Sequence, residues 1–184
     1  MSRKEILLAG AGGQGVLFAS NILCLAAANK GRSVVSTPSY GAAVRGGEVR
    51  CGVIIADGEI FDPLVDSPDI AVILNENCLK KFGSRIKSAG IMLCDASENV
   101  GEIVASFGKN FQLIPIPFKN LGPERYCNMI ALGVFSQIDG DINLAVLEET
   151  LRQEIGRKGK GDLLQENLKA IKAGNDWYVA ERRK

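Results

Sequence analysis

The chain has 184 residues, with 22 basic and 21 acidic side chains and a formal net charge of +1. That length suits one domain, able to bury roughly 70% of its unfolded surface. With 46% hydrophobic and 23% charged residues, the composition excludes a disordered or membrane-spanning chain, and the near-neutral charge gives no electrostatic reason to bind nucleic acid or an anionic membrane.

The sequence contains no histidine, so Ser-His and Cys-His nucleophiles, HExxH zinc sites and histidine acid–base catalysis are all excluded. Cys24, Cys51, Cys78, Cys94 and Cys127 are widely spaced and form no CxxC pair, so iron–sulfur and zinc spacings are absent. An odd set of mostly apolar-flanked thiols suits reduced core cysteines in a cytoplasm. The N-terminus imitates a signal peptide, but glycines at 10–15 break its apolar stretch. The later run Val16–Ala28 is too short to span a bilayer.

In chain order, the apolar run 5–9 is a buried strand stopped by glycine. Residues 14–29 carry Phe18, Ile22 and Leu25 at helical spacing, and Gly31 falls where a C-terminal cap belongs. A second strand covers 33–36 and ends in Ser36-Thr37-Pro38, which completes a βαβ pattern. Residues 49–56 form a third strand; Asp57-Gly58 signals a hairpin with 59–62 returning, which makes the sheet mixed. Further strands are expected at 69–74, 90–95 and 111–116, with a helix at 77–87. Pro115 and Pro117 end the last strand, since proline cannot donate to a ladder. Helices follow over 125–138, 143–155 and 163–173, so the expected architecture is a single three-layer α/β domain, 1–184, with a helical segment from about 143.

Glycine is the compositional outlier at 21 residues, ten of them within 1–58. Gly10-Ala11-Gly12-Gly13-Gln14-Gly15 satisfies GxGxxG between a strand and a helix, where bare backbone lets a phosphate approach the helix N–H groups. The plainer reading is a turn that packs helix on sheet. A nicotinamide site also needs an acid at the end of the second strand for the ribose, and neither Asp nor Glu follows Val35. A loop with Tyr40, Gly41, Arg45, Gly46 and Gly47 leaves the same edge of the sheet, where open α/β sheets bind ligands. Its plainer reading is a flexible turn with a solvated arginine.

Together, Gly-x-Gly-Gly-Gln-Gly-Val (Gly10–Val16) and Tyr-Gly-x-x-x-Arg-Gly-Gly (Tyr40–Gly47) resemble the gamma subunit of 2-oxoacid:ferredoxin oxidoreductases. The strand from Cys51 to Asp57 and the helix Asn128–Gly133 look similar too, so the resemblance covers about 4–175. It implies a Rossmann-like subunit of an enzyme that decarboxylates a 2-oxoacid, first 2-oxoglutarate, and passes the acyl group to coenzyme A. It further implies alpha and beta subunits that hold thiamine diphosphate, with iron–sulfur clusters on these partners or on a ferredoxin-like subunit. No catalytic residue or metal is expected on this chain. Gly10, Gly12, Gly13, Gln14 and Gly15 are expected to meet a phosphate or a partner, and Tyr40, Gly41, Arg45, Gly46 and Gly47 coenzyme A or a subunit. Relatives often carry an acid near position 43, where this chain has Ala43; that bears on the substrate subclass. A homodimer of the isolated chain is also allowed. Two other readings stay open: an autonomous NAD(P)- or flavin-dependent oxidoreductase, and a non-enzymatic coenzyme A- or nucleotide-binding module.

Overall fold

The computed structural model describes residues 2–41, 47–96, 99–156 and 161–183. Arg45 and Gly46 lie outside the described residues.

The first strand, β1 (Arg3–Ala11), has neighbours on both sides and helices on both faces, which is why its sequence is a continuous apolar run. Helix α1 (Val16–Asn29) leads to β2 (Ser33–Tyr40) and β3 (Glu48–Ala56). Helix α1 stops where expected. Gly31 adopts φ 75°, its N–H donates to Ala28 O at 2.8 Å, and Arg32 N–H donates to Ala27 O at 3.1 Å. This is the Schellman closure, which takes up two carbonyls the helix cannot satisfy itself.

Strands β4 (Ile70–Ile73), β5 (Ile91–Asp95) and β6 (Gln112–Ile116) complete the sheet in the order β2-β3-β1-β4-β5-β6. Strand β3 is antiparallel to both β1 and β2, and the rest run parallel. The sheet is therefore mixed, as expected, but its hairpin is elsewhere. Residues 59–62 form no strand; the antiparallel pair is β2–β3, joined across 41–47. The reason is that β1 and β2 already occupy both edges of β3, which leaves no ladder for a returning strand. Asp57 instead pins the chain: its carboxylate accepts from Ser2 N–H at 2.6 Å and pairs with Arg32 at 2.7 Å. The second strand is also longer than expected, running through Pro38 to Tyr40. As the outermost strand it tolerates a residue without an N–H.

Alternation along the strands feeds two cores. Ile6, Leu8, Ile70 and Val72 face α1, α5 (Cys127–Phe135), α6 (Leu144–Gly156) and α7 (Gly161–Glu181). Leu7, Ala9, Ala71 and Ile73 face α2 (Glu76–Phe82), with α3 (Val100–Ala105) outside it. Three layers result. The short helices α3 and α4 (Phe118–Leu121) were not foreseen, and α7 extends well past the expected 163–173. Helix α5 is buried along its whole length and crosses α7 backbone to backbone. A Cβ on Gly133 would stand 1.9 Å from Ile171 O, and one on Gly174 2.0 Å from Ile130 O.

Candidate functional site at the glycine-turn edge

Strands β1 and β2 end on the same side of the sheet, where β3 begins, so both glycine segments meet there. The junction is a backbone bond: Gly12 N–H donates to Gly47 O at 2.8 Å. In the register, Ala11 lies opposite Glu48 and Tyr40 opposite Val49.

The glycines of the first turn differ in what surrounds them. A Cβ on Gly10 would lie 2.9 Å from Val16 Cγ2, so this glycine lets strand and helix close. Gly15 caps α1 at φ 72°, with Asn128 against it. Gly13 has φ 100° and no atom within 4 Å of a built Cβ, so it faces open space. Gly12 is exposed, its N–H already committed to Gly47.

Gln14 points back into the protein. Its Oε1 accepts from Ala11 N–H and from Asn75 Nδ2, each at 2.7 Å, and its Nε2 donates to Leu74 O at 3.2 Å. Asn75 in turn caps α2, its Oδ1 accepting Cys78 N–H at 2.9 Å. One side chain therefore ties the starts of two helices to one edge, where unpaired N–H groups favour anions.

Between them lies an open cleft of about 750 Å³. Its floor is Ala11–Gln14, and its walls are Glu48, the start of α2 (Asn75, Asn77, Cys78) and the exposed Glu124 and Arg125. The Arg125 guanidinium stacks 5.0 Å from the Tyr126 ring, which holds that cation at the rim. Cys78 is no activated thiol: burial pushes it up, more than the Asn75 hydrogen bond lowers it. Tyr40 and Gly41 line a separate cleft of about 260 Å³ with Glu48, Arg50 and Lys81. Glu48, ion-paired with Lys81, is the wall between the two.

Glu48 is also an acid at this edge that no local motif marks. A nicotinamide site takes its carboxylate from the end of the second strand, but here β3 is inserted between β1 and β2 and places its first residue beside the glycine turn. Asn75 had a readable signal, an Asn directly after an apolar strand. Asn128, Glu124 and Arg125 come together only through tertiary packing. Among the described residues no group of His, Cys, Asp or Glu could hold a metal ion, and no helix is long and apolar enough to cross a membrane.

The chain matches the family described as pyruvate ferredoxin/flavodoxin oxidoreductase over residues 5–177. It is 36% identical over 181 residues to ketoisovalerate oxidoreductase subunit VorA of Methanothermobacter marburgensis, covering 94% of this chain but only 36% of that protein. It is 30% identical over 182 residues to 2-oxoglutarate synthase subunit KorC of the same organism, covering 95% of this chain and 96% of that protein. Among solved structures, the gamma subunit of a keto/oxoacid ferredoxin oxidoreductase from Geobacter sulfurreducens matches with TM-score 0.76 and 26% identity, covering 96% of this chain and 99% of the other. A 2-oxoglutarate:ferredoxin oxidoreductase from Magnetococcus marinus, solved with 2-oxoglutarate, coenzyme A and succinyl-CoA, shares the fold at TM-score 0.82 and 24% identity. That match covers 98% of this chain and 32% of the other.

Proposed function

The chain belongs to the pyruvate ferredoxin/flavodoxin oxidoreductase family, and from that premise we propose that it is the gamma subunit of a multisubunit 2-oxoacid:ferredoxin oxidoreductase. Such a complex oxidatively decarboxylates a 2-oxoacid, conserves the acyl group as a coenzyme A thioester and passes two electrons to ferredoxin. Thiamine diphosphate would sit on alpha and beta subunits and iron–sulfur clusters on these or a ferredoxin-like partner, in the cytoplasm. 2-Oxoglutarate is the first substrate proposed, with ketoisovalerate and pyruvate as competitors.

The observation that carries this reading is the joined glycine edge: Gly12 bonded to Gly47, with Gly13 open beside a cleft of about 750 Å³. Coenzyme A is the ligand proposed for the cleft. Gly13 would let a phosphate or thioester chain approach the backbone, while Gln14 and Asn75 hold the two helix starts in place. Arg125 would supply a cation at the rim. This chain positions and encloses a ligand; it moves no electrons in this account.

The autonomous nicotinamide reading fits less well. Strand β3 separates β1 from β2, and Glu48, the carboxylate opposite Ala11 in the register, is engaged by Lys81. The test is co-elution. Co-expressed with the thiamine-binding subunits, the chain should elute with them in one complex at fixed stoichiometry. Separate elution at micromolar concentration would count against a subunit role.

A further inference from the structure

Of the four large apolar side chains that stand exposed among the described residues, two lie in the loop 57–69 between β3 and β4: Phe61, 89% exposed, and Leu64, 60% exposed. Strand β3 ends at Ala56, opposite Arg3 and Ser33, the first residues of β1 and β2. The loop therefore starts at the end of the sheet away from the glycine turns.

The loop is held on both sides of Leu64. Arg3 Nη2 donates to Asp62 O at 3.0 Å, and Arg85 Nη2 donates to Val65 O at 2.6 Å. Leu64 N–H donates to Asp62 Oδ1 at 3.0 Å, which closes a turn over Pro63. Val65 is buried in space that Gly52 leaves open, where a built Cβ would stand 3.0 Å from Val65 Cγ2. Phe61 and Leu64 are thus presented by a pinned backbone, so seating them in a partner forfeits little conformational entropy. An aromatic side chain with this much free surface is suited to anchor an interface.

Charge defines the partner that fits. The loop carries Asp57, Glu59, Asp62, Asp66 and Asp69 and no Lys or Arg. Asp57 pairs with Arg32 at 2.7 Å, Asp66 with Arg85 at 3.1 Å and Asp69 with Lys87 at 2.8 Å. Glu59 and Asp62, on either side of Phe61 in the chain, pair with no cation among the described residues; Arg3 gives Asp62 only a bond to its backbone and pairs with Glu5. Two unpaired carboxylates beside the ring repel an anionic lipid surface or a nucleic acid. They also oppose a second copy, since a twofold contact would bring two such pairs together.

We propose that Phe61 and Leu64 anchor a protein–protein interface, seated in an apolar pocket rimmed by Lys or Arg on another subunit of the complex. The proposal rests on the subunit reading and places this contact at the end of the sheet opposite the coenzyme A cleft.

The test measures binding of the full chain to the remaining subunits of the complex, purified together and immobilised. Wild type is compared with Phe61→Ser, Leu64→Ser, Glu59→Lys and the control Leu163→Ser, at an exposed leucine of α7. Phe61→Ser should bind about tenfold or more weakly and Leu64→Ser several-fold, with thermal midpoints unchanged because neither side chain is buried. Glu59→Lys should slow association and flatten its dependence on salt, and it carries the test should Phe61→Ser lose its cooperative melt. Leu163→Ser should bind as the wild type does. Binding of folded Phe61→Ser within about twofold of Leu163→Ser, or a Glu59→Lys association rate equal to that of the wild type, overturns the proposal and leaves the subunit reading intact. A wild-type chain that fails to bind overturns both. Self-association of the chain alone that Phe61→Ser abolishes in sedimentation would assign the anchor to a second copy and overturn the proposal as well.

Discussion

The side-chain amide of Asn128 donates to the backbone carbonyl of Gly15 at 3.0 Å, so a buried residue of α5 fixes the first turn of α1. Its Oδ1 accepts Met129 N–H at 2.9 Å, which sets the orientation of the amide. Asn128→Ala removes one of the two donors to the Gly15 carbonyl, which keeps Ala19 N–H at 3.0 Å, at a cost of about 0.5–1.5 kcal/mol. The expected result is a lower thermal midpoint by calorimetry, while Asn128 substitutions that leave the midpoint unchanged would show the bond carries no weight.

Gly13 and Gly10 should behave oppositely. Gly13→Ala is strained at φ 100° but meets no atom, so it should cost only about 1–2 kcal/mol while projecting a methyl into the cleft. In the assembled complex it should raise the apparent KM for coenzyme A several-fold. Gly10→Ala, 2.9 Å from Val16, should chiefly lower stability. Normal coenzyme A dependence in Gly13→Ala would limit the turn to packing.

Gly133→Ala tests the α5–α7 crossing. A methyl 1.9 Å from Ile171 O cannot be relieved by rotating a side chain, so the helices must part. Overpacking of this kind costs at least about 1–3 kcal/mol, and a backbone clash belongs at the upper end. Urea titration should move the midpoint well below that of Gly101→Ala, whose built Cβ meets nothing.

The thiols should resist reagents in the native state. Burial pushes Cys94 up to about 12 and Cys127 to about 11. Cys24, also raised to about 11, first by burial and then by the neighbouring Cys51, is half-buried and should be the first to react. A folded-state pKa above the ordinary 9.0 means the native protein keeps protons that the unfolded chain releases. Their contribution to stability is therefore complete below about pH 9 and lost as pH rises toward 11–12. Denaturation midpoints measured across that window should fall; midpoints flat or rising with pH would contradict the buried assignments.

Local signals were legible in the sequence, and tertiary insertion was not. The apolar run of β1, the glycine turn and the Gly31 cap each follow from neighbouring residues, and all three appear in the structure. Asp57-Gly58 carried a hairpin signal that failed because strand pairing depends on which edges are free, which no local window reports. Pro38 is a strand-ending residue by local rules but sits within the outermost strand, since an edge forgives a missing donor. At the site, Gly13 and Tyr40 were readable as exposed groups on one edge. Gln14 was placed in the right turn, yet its amide faces inward because Asn75, 61 residues on, offers it a partner. Asn128 lies in a helix that resembles the family's, yet its bond to Gly15 arises from packing between helices, which no local window reports.

The most direct measurement of the central claim is an omission experiment. Thiamine-loaded alpha and beta subunits with their ferredoxin-like partner would be assayed for coenzyme A-dependent 2-oxoacid oxidation, with ferredoxin as acceptor, in the presence and absence of this chain. The account predicts no turnover by the chain alone, weak turnover without it, and efficient thioester formation only when it is restored. Turnover of a 2-oxoacid by the isolated chain, or full activity of the complex lacking it, would contradict the account.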